Sequence, residues 1–164
     1  MESKKVNLKS IDKKIFEVPL DILQKVKLIS YLLKEAIEDD NVIFLRGING
    51  YYLEKVLDYL NHYKDVEPKE IPKPFPEKTD EEFLKGVLND EWTFNFLQQF
   101  SLDESIDMIN SSDYLGIEGL TNITAAKLAY EMCNCDIEEA RKKFGIDCDM
   151  TKEEIAEIDN YPLD

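Results

Sequence analysis

Three cysteines are the residues best suited to chemistry here, and all lie in one window, EMCNCDIEEARKKFGIDCDMT, residues 131–151. Cys133 and Cys135 stand two apart and Cys148 follows thirteen residues later. Thiolates at such spacing invite a metal reading, but a closed zinc site takes four nitrogen or sulfur ligands, in its strong form from paired C-x-x-C elements. Only three thiols exist, the spacing is C-x-C, and the single histidine, His62, lies far away in the other half. Cys133 and Cys135 instead flank Asn134, just ahead of Asp136. Asparagine tolerates the left-handed conformation that ends many helices, so the window reads as helix end, cap and next helix. No metal and no cofactor is expected.

Other chemistries fare no better. Asp147, Asp149 and Thr151 fit the first ligand positions of a calcium loop, but Lys152 and Ile158 stand where the turn glycine and the bidentate glutamate belong. A Cys–His dyad would need His62 beside the C-terminal thiols, and nothing in the spacing brings them together. Gly116 and Gly119 read as helix punctuation rather than a phosphate cradle. Carboxylate pairs are uninformative among 35 acids. No catalytic residue is assigned, and the chain is expected not to be an enzyme.

The elements that hold these residues are legible in outline. VNLKS (6–10) and KIFEV (14–18) alternate apolar and polar side chains and predict a β-hairpin. Pro19 suits a first helical turn, and DILQKV with SYLLKEAI predicts one or two short helices. NVIFLRG (41–47) predicts a third strand. After Asn49, a helix should carry Leu53, Val56, Leu57 and Leu60 on its inner face. Four of the six prolines then fall between 68 and 76. That segment, 67–78, cannot be helix or central strand, and it divides the chain. Beyond it the pattern is helical, with capping-box spacings at Thr79–Glu82, Ser101–Glu104, Asp136–Glu139 and Thr151–Glu154. Trp92, Phe96, Phe100, Ile106 and Ile109, then Ile117, Leu120, Ile123 and Leu128, are the expected core faces.

The 164 residues, 43% hydrophobic, allow a real core. Without a signal-peptide pattern or a membrane-spanning run, a cytoplasmic and nuclear protein is expected. Residues 1–67 carry 11 basic and 12 acidic side chains, net −1, whereas 68–164 carry 9 and 23, net −14. An acidic surface repels phosphate backbones, so neither nucleic acid nor membrane is an expected partner. The acidic half is a solvated surface or meets a basic partner.

In order and spacing, VNLKSIDKKIFEV, FLRGINGYYLEKVLDYLNHYKDVEP, the proline-rich segment, EWTFNFL, SSDYLGIEGLTNIT and IEEARKKFGIDCDMTKEE resemble one family. It is the S-phase-kinase-associated adaptor of SCF-type ubiquitin ligases, a relative of elongin C. The resemblance runs from about residue 4 to residue 159, and elongin C lacks the last two helices. It implies an α+β protein: a BTB/POZ fold, a small three-stranded sheet with packed helices, followed by a helical extension. Residues 1–66 would form its N-terminal part, 67–78 the linker, 79–132 the helices completing it, and 133–164 the partner-binding helices.

The same resemblance implies a non-catalytic adaptor bridging a cullin to F-box proteins. The F-box surface would comprise Ile123, Leu128, Ile137, Ala140, Arg141, Phe144, Ile146, Met150, Ile155 and Ile158. Asp113 and Tyr114 would meet the cullin. A weak homodimer of the free chain is a further expectation. Short helices such as DIEEARKKF persist only when packed, which a folded partner or the preceding helix could supply. Asn134 replaces the usual glycine, Asp113 an asparagine and Ile137 a proline, and the tail NYPLD lacks the family's Trp-Cys. Two other readings stay open: a BTB-type self-association or interaction module of another complex, elongin-C-like or kinetochore, and a metal or thiol enzyme.

Overall fold

The computed structural model describes residues 4–35, 42–73, 80–88 and 90–161. Strand β1 (Lys5–Lys9) pairs antiparallel with β2 (Ile15–Pro19), and β3 (Val42–Phe44) adds to the other side of β1 in parallel, giving the order β2-β1-β3. Alternation decides the faces: Val6, Leu8, Val18 and Ile43 point into the core, while Ile15, Val42 and Phe44 are exposed. The hairpin turn is closed by Lys13 at φ 67°, the single non-glycine residue with positive φ among those described. Asp12 ties it to the body, accepting from the Ser10 hydroxyl at 2.6 Å and the Gly50 N–H at 2.7 Å.

A one-turn helix α1 (Leu20–Leu23) and α2 (Lys27–Glu35) link β2 to β3. Pro19 ends β2 and stands at the N-cap of α1, one place before the expected first turn. Helix α3 (Gly50–His62) starts where the Asn49 side chain accepts the Tyr52 N–H, and it buries Leu53, Val56 and Leu60 as the periodicity requires; Leu57 is half-buried. Of the proline-rich segment, 68–73 forms neither helix nor strand, yet Ile71 inserts into the core.

Helix α4 (Glu81–Leu88) begins with Asp80 accepting the Phe83 N–H at 2.7 Å; Thr79, the expected cap, lies outside the described residues. Asp90 caps α5 (Glu91–Gln98), where Trp92 stacks between His62 (3.9 Å) and Phe96 (4.9 Å). Helix α6 (Leu102–Leu115) has the Ser101–Glu104 capping box and stops at Gly116, φ 71°, a left-handed position that glycine adopts without a Cβ clash. Its buried side is Ser105, Met108, Ser111, Ser112 and Leu115. Ile106 is therefore not core, contrary to expectation, and Ile109 is half-buried.

Serines recur on the inner side of α6, where α7 (Glu118–Cys133) packs closely in the most extensive helix–helix contact among the described residues. Their hydroxyls are satisfied locally: Ser105 donates to the Ser101 carbonyl, Ser112 bonds Thr121 at 2.8 Å, and Thr124 donates to the Leu120 carbonyl. Lys127 of α7 is almost wholly buried. Its ammonium donates to the carbonyls of Leu97 and Phe100, neutralising the C-terminal end of α5. Burial pushes its pKa down against the opposing pull of Glu131 and Glu104. One buried cluster runs from Val6 to Ala126, on both sides of the proline-rich segment.

Candidate protein-binding surfaces

Helix α7 ends at Asn134, whose backbone is not left-handed: φ is −98° and ψ 8°. The asparagine completes the helix end differently from the expectation, by donating its side-chain amide to the Tyr130 carbonyl at 3.0 Å. Cys135 continues the same device, its N–H reaching the Met132 carbonyl and its thiol the Glu131 carbonyl. With these carbonyls satisfied, no positive φ is needed.

Two short helices follow. In α8 (Ile137–Phe144) the Asp136 carboxylate accepts the Glu139 N–H at 2.8 Å, and the Glu139 carboxylate accepts the Asp136 N–H in return. Acids fill its first turn and Arg141, Lys142 and Lys143 its last, the arrangement that suits a helix dipole. It stops at Gly145, φ 64°. An irregular stretch leads to α9 (Lys152–Asp159), opened by the Thr151–Glu154 capping box. The backbone N–H and hydroxyl of Thr151 hold the Glu154 carboxyl below its ordinary pKa.

Both helices are locally well made yet weakly embedded. No residue of α8 is buried. An ion pair from Lys143 to Glu131 ties it to α7. Ile137 is 72% exposed and Ile158 59%. Between the helices lies an open groove of about 550 Å³ lined by Cys135, Asp136, Ile137, Glu138, Arg141, Met150, Ile155 and Ile158. A neighbouring recess adds Glu154, Glu157 and Tyr161. Arg141 pairs with Glu138 at 3.3 Å. An apolar floor with a charged rim is the make-up of a protein-binding surface.

Five of the residues expected here, Ile137, Arg141, Met150, Ile155 and Ile158, come together on the groove. Ala140 and Phe144 are half-buried on α8, Leu128 is half-buried on α7, and Ile146 is exposed between α8 and α9. Ile123 is different. It is 2% exposed and belongs to the core, so it offers nothing to a partner. Cys135 and Glu157 were not among the expected contacts, yet both line the recesses. All three cysteines are free thiols, and among the described residues no three His, Cys, Asp or Glu side chains gather as a metal site.

A second surface lies at the end of α6. Asp113 and Tyr114 are both exposed, and the Tyr114 ring lies close against Gly47. A Cβ at Gly47 would come within 2.6 Å of that ring, so the glycine permits the close approach. The outer sheet face is also partly apolar, with Phe44 flanked by the cations of Lys9 and Arg46 at 5.8 and 5.6 Å from the ring centre.

Residues 4–65 match the Skp1 family tetramerisation (POZ) domain and 118–160 the Skp1 family dimerisation domain. The S-phase kinase-associated protein 1 homolog of Tetrahymena thermophila is 30% identical over 95% of this chain and 90% of its own length. The SCF ubiquitin ligase complex protein SKP1a of Dictyostelium discoideum is 32% identical over 93% and 90%. SKP1-like protein 17 of Arabidopsis thaliana is 27% identical over 96% and 94%.

Proposed function

This chain belongs to the Skp1 family, and on that premise we propose that it is a non-catalytic adaptor joining F-box proteins to a cullin in an SCF-type ubiquitin ligase. The α8–α9 groove receives the F-box helices, and Asp113 with Tyr114 meets the cullin. The observation that carries the reading is the exposure of Ile137 and Ile158 on helices that are capped and formed but hold no fully buried side chain among the described residues. Apolar side chains held out on preformed helices cost little ordering on association, which favours a folded helical partner. The work of the protein is then placement, in the cytoplasm and nucleus, with the chemistry done by other subunits. The relative named as an SCF ubiquitin ligase complex protein supports the same reading.

Calorimetry of an F-box domain against the full chain and against a chain ending at Asn134 tests it. Binding to the first and not the second is expected. Equal binding to both would place the F-box surface elsewhere, and binding to neither would remove the F-box role. Substitution of Asp113 and Tyr114 is expected to weaken cullin binding and spare F-box binding. Loss of the same partner from both sets of changes would sink the two-surface arrangement.

The dimerisation domain matched over 118–160 contains the groove, which favours a second reading for the free chain. Without an F-box protein, two copies cover each other's apolar floor in a weak homodimer. Light scattering on dilution, with and without an F-box domain, distinguishes a dimer that the F-box dissolves from one that persists beside it.

A further inference from the structure

Helix α7 begins without a side-chain cap. Its N-cap residue is Ile117, and the N–H groups of Glu118, Gly119 and Leu120 find no acceptor among the described residues. Leu120 is wholly buried, so its N–H is a donor that bulk water does not reach. Unsatisfied buried donors at the positive end of a helix favour an anion.

A second observation points to the same place. Tyr59 of α3 is 3% exposed, and its hydroxyl has no hydrogen-bond partner among the described residues. That hydroxyl is aimed at the start of α7: a Cβ built on Gly119 would stand 2.6 Å from it. Burial above all, with Tyr63, Glu67 and Asp90 adding to it, raises the pKa of the phenol, which therefore remains a donor. Tyr59 and Gly119 line one cavity of about 170 Å³ together with Lys25, Lys27, Glu67 and Glu118.

The charges there are unevenly committed. Lys25 is engaged with Glu67 at 2.8 Å and the Tyr63 carbonyl at 3.0 Å. Lys27 has neither a hydrogen bond nor an ion pair from its ammonium among the described residues, and its stem lies along Gly116. Glu118 is exposed at the rim. The donors left over are three backbone N–H groups, one phenol and one ammonium; of the two carboxylates in the lining, Glu67 is taken by Lys25 and Glu118 stands at the rim. The volume is well under the range of metabolite sites, roughly 300 Å³ and upward. It suits a single ion.

We propose that this cavity binds one free tetrahedral oxyanion of phosphate size, held by the N–H groups opening α7, the Tyr59 hydroxyl and the Lys27 ammonium. Such an ion would bridge α2, α3 and the α6–α7 turn. The test is a titration of the isotope-labelled full chain with inorganic phosphate at constant ionic strength, read from the backbone amides. Saturable shifts at Glu118, Gly119 and Leu120 are expected, reproduced by sulfate and not by acetate or chloride. Lys27→Met and Tyr59→Phe should each weaken them about tenfold, the loss of one hydrogen bond to a charged ligand. Lys27 is exposed, so its variant keeps the fold even if Tyr59→Phe does not. No saturable shift at these amides, or shifts that survive Lys27→Met unchanged, would overturn the site. Equal binding of acetate would overturn the tetrahedral assignment.

Discussion

Exposure divides the energy of an apolar side chain between folding and association, and the groove makes that division measurable. Fully burying an isoleucine is worth about 1.5–3 kcal/mol. Ile137 is 72% exposed, so only about a quarter of that value is spent within the chain. Ile137→Ala should therefore lower folding stability by well under 1 kcal/mol and weaken F-box binding by about 1–2 kcal/mol, roughly five- to thirtyfold. Ile158, 59% exposed, should behave similarly with a slightly smaller binding loss. Ile123 is the control. At 2% exposure its truncation should cost the fold about 2–5 kcal/mol and leave the affinity of the folded chain unchanged. Urea unfolding followed by Trp92 fluorescence gives the first quantity, and calorimetry with an F-box domain gives the second. The reasoning fails if Ile137→Ala shifts the unfolding midpoint as far as Ile123→Ala, or if Ile123→Ala weakens binding in a chain that is still folded.

Burial alone would raise the Asp90 carboxyl, but hydrogen bonds from Tyr63 and Thr93, with the nearby His62, hold it below its ordinary value. A depressed carboxyl adds stability that is complete above its unfolded pKa, about 3.9, and lost as pH falls through the lower folded value. Asp90→Asn should thus lower the urea midpoint at neutral pH and converge on wild type in acid; a gap constant with pH would refute this. Asp136→Ala removes the α8 capping box, worth about 1 kcal/mol. Because no side chain of α8 is fully buried, amide exchange should quicken in 137–144 with the global unfolding midpoint unmoved, and a lowered midpoint would show α8 to be part of the core unit.

What could be read from sequence was mostly local. The hairpin, the caps at Ser101, Asp136 and Thr151, and the glycine stop at Gly116 all depend on residues within a few places of one another. Pairings at a distance left no such mark: nothing in VIF announces that β3 joins β1 in parallel. The inner face of α6 was misread because the close approach of α7 selects Ser105 and Ser112 over Ile106. On α7, the pattern that put Ile123 on a core face agrees with its burial, and it was the resemblance that also put it on the partner surface. Asn134 shows how one residue has two ways to end a helix, and the side-chain bond to Tyr130 prevailed. The groove needed the structure, since only the turn at Gly145 and the stretch after it bring Ile137 and Ile158 to one cleft.

A surface so lightly invested in the fold has an evolutionary consequence. Substitutions in a core are filtered by stability before function is ever tested, whereas those on α8 and α9 reach the test of function directly. Ile137, 72% exposed, and Ile158, 59% exposed, are positions whose change the body of the protein can absorb. The lineage can therefore exchange partners by rewriting about two turns of each terminal helix, while the sheet and α3–α7 stay as they are.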